Sequence, residues 1–283
     1  TLLQRSPSFM LPRSTADWRG NFWRRVLPLK WAHRINRRRN IAFHQKQWDR
    51  SREDPEKMRR EIIELIRAEL PEDFDIDTHF NPSYNPLDQR LCPVPNGNLF
   101  EGIRNGKVSI ETDHIDRFTK HGLLLKSGKE LSADIIITAT GLNMKVMGDI
   151  AFKVDGKKVD FSETVAYKGL MVSDVPNFVY TFGYINTSWT LRADLVAQYA
   201  TKLINYLKES GNRICTPRLS GKDKEKATNP FVIEFTPGYL KRSFHLLPKQ
   251  GEGPPWFHPQ DYQRDLHMLH HEPINDGVLE FQK

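Results

Sequence analysis

The chain has 283 residues, of which 38% are hydrophobic and 27% charged. That is enough apolar bulk for one large domain or two modest ones, and too much for a disordered chain. No stretch approaches the roughly 20 consecutive apolar residues of a membrane-spanning helix. The formal net charge of +7 is unevenly placed: between Arg19 and Arg60 stand 14 Lys or Arg against four acids, a surplus of ten. Four of the six Trp (Trp18, Trp23, Trp31 and Trp48) fall in or beside the same segment.

The chain opens Thr1-Leu2-Leu3, with no Met and no signal pattern, as if within a strand. This is a first hint of a piece of a longer protein, with a processed mature N-terminus as the plainer alternative. Ser6-Pro7-Ser8 turns the chain, and from Pro12 to Leu70 the sequence is helical and polar, broken at Pro12, Pro28 and Pro55. Phe22, Trp23, Val26, Leu27, Trp31 and Ile35 recur at helical spacing. Asp54-Pro55-Glu56 is a helix start with Pro in the first turn. Met58, Ile62, Leu65, Ile66 and Leu70 then trace an apolar stripe that Pro71 ends. Residues 79–100 carry Asn81-Pro82, Asn85-Pro86, Cys92-Pro93, Val94-Pro95 and Asn96-Gly97, and read as a long loop on a fixed, irregular path. Long ordered loops are often functional.

Residues 107–110 and 115–118 read as strands, and Gly122-Leu123-Leu124-Leu125 before Ser127-Gly128 as one arm of a hairpin. Residues 134–138 are apolar without alternation, as central strands buried on both faces are, and run into Ala139-Thr140-Gly141. Asp155-Gly156 turns a hairpin within 152–159. Residues 178–182 are a further strand ending at Gly183. Leu195, Val196, Tyr199, Leu203, Ile204 and Leu207 place an amphipathic helix over 191–207, and 231–235 is a late strand or extended arm. Cys92 and Cys215 form no CxxC or zinc pattern, which fits a reducing, cytoplasmic compartment.

A few patterns carry chemistry. From Gly128 to Gly141 a hairpin leads to an acid, a buried strand and a Gly turn, the way two-dinucleotide flavoenzymes end a segment; any buried strand closed by a turn looks similar. Gln4-Arg5-Ser6-Pro7 puts an Arg and a hydroxyl directly after a strand end, groups suited to the 2′-phosphate of NADP, although a surface Arg is the plainer reading. Arg90, within Asp88-Gln89-Arg90-Leu91-Cys92, is a cation in a Pro-rich loop, placed for catalysis or for clamping loop carbonyls. His267 and His271 stand at i and i+4 without an HExxH, and no metal is expected. GxGxxG, Walker A and GxSxG motifs do not occur. The basic, Trp-bearing segment suits an anionic membrane surface or a nucleic acid; amphipathic helices with a solvated basic face are the plainer reading. Nucleic acid is not expected, because no zinc knuckle, RNP or helix-turn-helix pattern accompanies the charge.

Several blocks together resemble FAD-containing Baeyer–Villiger monooxygenases, the class B flavoprotein monooxygenases. They are Gln4-Arg5-Ser6-Pro7-Ser8, His79-Phe80-Asn81-Pro82, residues 84–97 and 133–143, Ala166-Tyr167-Lys168-Gly169, residues 183–191 and Phe235-Thr236-Pro237-Gly238-Tyr239. The resemblance runs over nearly the whole chain. The family's GxGxxG, its FxGxxxHxxxW fingerprint and its second Gly-rich loop are missing, so the chain resembles a C-terminal fragment. The resemblance implies an α/β fold, the C-terminal portion of a flavoprotein with two dinucleotide-binding domains and a helical insertion. Residues 1–12 would end the first part of the NADP domain, 13–79 form the basic helical insertion, 80–143 return to the NADP domain, and 144–283 make the C-terminal part of the FAD domain.

It also implies an enzyme using FAD and NADPH. In the family, NADPH reduces the flavin, which captures O2 as a C4a-peroxide and inserts one oxygen into a ketone, or oxidises a sulfide or thioamide. Arg90 matches the family's active-site Arg, and Arg5 with Ser6 matches its 2′-phosphate-reading pair. Gln89 stands where many relatives have Lys. Thr140 and Gly141 would fall at the linker near the cofactors, and Asn186, Thr187 and Trp189 against the flavin or substrate pocket. The alternatives are a flavin monooxygenase acting on N or S atoms, an inactive truncated product, and a basic protein that binds nucleic acid or a membrane. Weak contact with an anionic membrane surface is an expected partnership of the basic segment.

Overall fold

Acidic caps and prolines set the helix boundaries of the first half of the chain. β1 (Leu2–Gln4) leads through the buried Phe9 to β2 (Met10–Arg13). Asp17 caps α1 (Trp18–Val26) by accepting the Gly20 amide, and Pro28 precedes α2 (Leu29–Glu53). Asp54 caps α3 (Pro55–Arg67), its carboxylate accepting the Lys57 amide at 2.9 Å. Pro55 costs nothing there, because the first helical N–H has no intrahelical partner. α4 (Ile76–Phe80), β3 (Cys92–Pro95), α5 (Asn98–Arg104), β4 (Ile110–Thr112), β5 (Ile115–Thr119), β6 (Gly122–Leu125) and β7 (Glu130–Ser132) follow. β1 pairs with β4 and β2 with β3, both in parallel, while β5, β6 and β7 form an antiparallel meander. The stripe of α3 closes the core through Met58, Ile62 and Ile66, packed with Phe9, Phe80 and Phe100. Each such side chain contributes about 1.5–3 kcal/mol by leaving water.

The computed structural model describes all residues except Arg90, Asn186 and residues 233–236, and not the side chain of Lys224. The chain divides into two compact units, Thr1–Thr140 and Gly141–Lys283. The second holds the hairpins β8 (Lys153–Val154) with β9 (Lys157–Lys158) and β10 (Ala166–Tyr167) with β11 (Met171–Val172). α6 (Trp189–Ser210) ends at Gly211, whose φ of +69° is the left-handed stop that glycine adopts without strain. β12 (Ile214–Pro217), α7 (Gly221–Lys226), β13 (Asn229–Pro230), α8 (Gly238–Lys241), β14 (Lys249–Gln250), α9 (Tyr262–Leu266) with a π-helical turn at His267–His271, and β15 (Leu279–Gln282) complete it. β12 pairs antiparallel with β15, and β13 with β14. The core gathers Leu195, Tyr199 and Leu203 of α6 with Tyr167, Trp256 and Met268.

Several expectations are corrected. Residues 134–138 form no strand and are not buried: Ile135 and Ile137 are 80% and 86% exposed. A strand requires a ladder partner, and none of the described residues supplies one. Residues 178–182 form no strand either. Their alternation reflects ring packing: Phe182 meets Phe231 edge-on at 4.9 Å, and Phe178 stacks on Tyr180 at 6.0 Å. The long loop 79–100 contains β3 and the start of α5, and the strand expected over 107–110 begins only at Ile110. Leu65 and Ile204 lie off the buried stripes, 53% and 52% exposed. The arm expected over 231–235 falls partly outside the described residues. Among the described residues no helix is long and apolar enough to cross a membrane.

Candidate functional site

The first group of expected site residues follows β1. Gln4, its last residue, donates from Nε2 to the His79 carbonyl at 2.7 Å and to Thr112 Oγ1 at 2.9 Å. His79 Nδ1 meets the same hydroxyl at 2.8 Å. The C-terminal end of the β1–β4 pair is thus fastened to α4. Arg5 and Ser6 come immediately beyond it in a bend, both exposed. Neither has a hydrogen-bond or ion-pair partner among the described residues. Ligands of α/β sheets bind beyond the carboxyl ends of parallel strands, and these two residues occupy such a position.

Gln89 lies half-buried, next to Arg90, which is outside the described residues. The path leading to them is held by two arginines that sequence reasoning missed. Arg59 of α3 donates to Asn81 Oδ1 at 2.9 Å and to the carbonyls of Pro82 and Tyr84, and its guanidinium lies 5.4 Å from the Phe9 ring centroid. Arg52 of α2 donates to the Pro86 carbonyl at 3.1 Å and pairs with Asp88 at 2.8 Å. Burial, outweighing hydrogen bonds from Ser8 and Phe9, pushes the Tyr84 hydroxyl up. On the far side Cys92 starts β3, its amide donating to the Phe9 carbonyl at 3.0 Å. Residues 81–88 before these two positions and Cys92 after them are thus each fastened to the first unit.

Thr140 and Gly141 stand at the sequence boundary of the two units, both exposed. Gly141 has φ +95° and open space where a Cβ would project. In the second unit Thr187 and Trp189 come together at the start of α6; Asn186 lies outside the described residues. The Thr187 hydroxyl is buried with no partner among the described residues. Trp189 is 47% exposed, and its ring packs so closely on Gly183 that a Cβ there would collide with it.

A buried polar cluster, also missed from sequence, holds this turn. Tyr184 donates to Asp265 Oδ2 at 2.7 Å, and Arg192 Nη1 stands 2.6 Å from the same oxygen. Arg192 Nη2 donates to the Lys168 carbonyl at 2.5 Å. Arg192 and Asp265 are both fully buried, yet Asp265 Oδ1 and Arg192 Nε have no hydrogen-bond partner among the described residues. The pair is an ion pair more than an aligned hydrogen bond, since Nη1 also lacks a bond of good geometry. Burial pushes the Asp265 carboxyl up against the opposing pull of Arg192. The Ile185 amide donates to Gln260 Oε1 at 2.9 Å, and Gln260 Nε2 meets His258 Nδ1 at 3.0 Å. Burial first, and then the Arg192 charge, lowers the His258 pKa well below its ordinary value, so this imidazole stays neutral. A groove of about 830 Å3 runs along the outer side of α6 past Gln198, Lys202 and His270, and contains none of the expected site residues.

No family model matches the chain. The FAD-containing monooxygenase EthA of Mycobacterium tuberculosis is 45% identical over 283 residues, all of this chain and 57% of that protein. The probable FAD-binding monooxygenase AlmA of Acinetobacter baylyi is 40% identical, over all of this chain and 56% of that one. The solved structure of an oxidised steroid monooxygenase bound to NADP superposes with a TM-score of 0.64 at 14% identity, covering 99% of this chain and 61% of that chain. The fold is thus one shared with flavoprotein monooxygenases, and the chain spans a little over half the length of the curated relatives it matches. With 40–45% identity from its first residue to its last, the chain is homologous to FAD-containing monooxygenases.

Proposed function

We propose that the chain is part of an FAD- and NADPH-dependent monooxygenase that inserts one oxygen atom of O2 into a ketone, or oxidises a sulfide or thioamide. The observation that carries this reading is the 45% identity, over every residue, to a protein named as an FAD-containing monooxygenase. On the same basis residues 1–12 and 80–143 belong to an NADP-binding domain, 13–79 are an insertion, and 144–283 belong to an FAD-binding domain.

The residues fit the two cofactors. Arg5 and Ser6 are exposed and unpartnered among the described residues at the carboxyl end of a parallel strand, which suits a 2′-phosphate; the guanidinium fork would take two of its oxygens. The buried, unpartnered Thr187 hydroxyl is a ready group for a flavin, and Trp189 offers a half-exposed ring beside it. Asn186 is read as part of the same contact. Gly141 lets backbone approach a cofactor closely, with Thr140 beside it. FAD supplies the oxygen-activating chemistry when bound, and NADPH the reducing equivalents.

The rest of the mechanism belongs to the chain. Arg90 would supply a permanent charge for the negative charge that develops on the substrate oxygen. Arg52 and Arg59 fasten residues 81–88, the stretch that precedes it in the chain. Gln89 adds no second cation, so the task rests on Arg90.

The test replaces Arg90 with Ala in the intact protein and measures NADPH consumption and oxygenated product side by side. Removing one donor of this kind costs about 100- to 1,000-fold in turnover. Product is expected to fall by that factor while NADPH oxidation persists and releases hydrogen peroxide. Near-normal product formation would show that Arg90 only braces its loop. An intact wild-type protein that oxygenates no ketone, sulfide or thioamide with NADPH would refute the reading as a whole.

A further inference from the structure

The α1–α2 hairpin buries its small residues and exposes its large ones. Within 18–38 the buried positions are Gly20, Ala32 and Asn36, with Asn36 Nδ2 donating to the Gly20 carbonyl at 3.3 Å. Trp18, Phe22 and Val26, at i, i+4 and i+8, share one face of α1 and are 70%, 53% and 51% exposed. Just past the turn, Leu29 is 74% and Trp31 56% exposed. Such a concentration of exposed apolar side chains on one element marks an interaction surface.

The charge around it is of one sign. Residues 18–38 contain seven Lys or Arg and no acid. Arg19, Arg24, Arg25, Lys30, Arg34 and Arg38 are all exposed. Arg19 lies over the Trp18 ring at 5.0 Å and Arg34 over the Trp31 ring at 5.4 Å, so cations and aromatic faces are interleaved at contact distance. Aromatic rings of this kind favour the water–lipid boundary, where long basic side chains reach phosphates while their stems stay in apolar surroundings.

We propose that this hairpin is a docking face for an anionic lipid bilayer, lying in the surface with Trp18, Phe22, Val26, Leu29 and Trp31 toward the acyl chains. Two observations favour lipid, one over a nucleic acid and one over a folded protein. Val26 and Leu29 gain nothing from a nucleic acid's phosphates but gain from an apolar phase. A surplus of cations without a single acid suits a diffuse negative surface better than the mixed charge of a folded protein. The proposal is independent of the oxygenation chemistry.

The full 283-residue chain is co-sedimented with phosphatidylcholine vesicles, with and without phosphatidylserine, at low and high salt. Binding is expected only to the phosphatidylserine vesicles, with a blue shift of Trp fluorescence, and is expected to fall at high salt. Arg24→Gln with Arg25→Gln should weaken it about 25-fold, at roughly fivefold for each cation near such a surface. Trp18→Ser with Phe22→Ser should also weaken it and diminish the blue shift. These four positions are exposed, so the fold is retained, and far-UV circular dichroism checks this. Three results overturn the proposal: no binding to anionic vesicles at low salt; binding indifferent to Trp18→Ser with Phe22→Ser and displaced by duplex DNA; or a dimer in solution that those substitutions dissociate, which assigns the face to a second copy.

Discussion

Replacing Asp265 with Asn keeps the shape of a fully buried side chain and removes its charge. Arg192, also fully buried, then keeps one acceptor of known geometry, the Lys168 carbonyl at 2.5 Å, in place of the carboxylate at 2.6 Å. Tyr184 is left to share an amide. Breaking a buried pair by removing one partner costs about 3–5 kcal/mol, because the remaining charge is neither solvated nor compensated. Against a total stability of about 5–15 kcal/mol that is roughly a fifth or more. At a slope of about 2 kcal/mol/M, the urea midpoint of the transition that reports the second unit should fall by roughly 2 M. Trp256, buried in that core, makes fluorescence a suitable probe beside circular dichroism. The double substitution Arg192→Met with Asp265→Leu removes both charges and should be less damaging than Asp265→Asn alone. A single-site cost below about 1 kcal/mol, or a double substitution whose cost is the sum of the two single ones, would refute the reasoning.

Three further outcomes are expected. Asp276 is partly buried, which alone would raise its pKa, but the Tyr167 hydroxyl at 2.6 Å and the buried Lys168 ammonium at 3.2 Å outweigh this and hold it below the usual carboxylate range. Its stabilising contribution is therefore present above about pH 4 and lost as pH falls through the lowered value, so the acid-side loss of Tm should be shallower in Asp276→Asn; an unchanged slope contradicts this. Cys92 is exposed and Cys215 buried, with burial and then Asp276 pushing the Cys215 thiol up to about 12, so a thiol reagent should titrate one cysteine in the native chain and the second only in denaturant. In the intact protein Arg5→Ala should raise the NADPH KM by the equivalent of about 1.5–3 kcal/mol and leave NADH nearly unaffected, whereas equal effects on both would make Arg5 structural.

What could be read in advance depended on how local its cause was. Asp54-Pro55 and the α3 stripe are legible because caps and helical periodicity act within a few residues. The hairpin at Asp155-Gly156 is legible for the same reason. Ladder partners are not local: Leu2 pairs with Ile110 and Ile214 with Gln282, and no pattern in either segment specifies the other. Residues 178–182 misled because alternating aromatic side chains look alike whether a ladder or ring packing fixes them. In the site, Arg5 and Ser6 stand out by following a strand directly. Arg59 and Arg192 do not, since the partners that fix their place in the site, Asn81 and Asp265, lie 22 and 73 residues away. A faint signal was available: each directly follows a residue of a buried helix stripe, Arg59 after Met58 and Arg192 after Leu191, and a charge beside such a stripe that turns inward needs a buried partner.

The isoleucines at 135–137 have a consequence of another kind. Three β-branched, uncharged side chains stand in water on a stretch of backbone without ladder partners among the described residues. Such a stretch is a template onto which a second molecule can lay the same stretch, and each addition presents a fresh one. The chain on its own should therefore reach a concentration at which it assembles end over end, despite a net charge of +7 that keeps molecules apart elsewhere on the surface. Ile137→Lys, a charge set at the most exposed position of the sticky stretch, should raise that concentration in light scattering without altering either core.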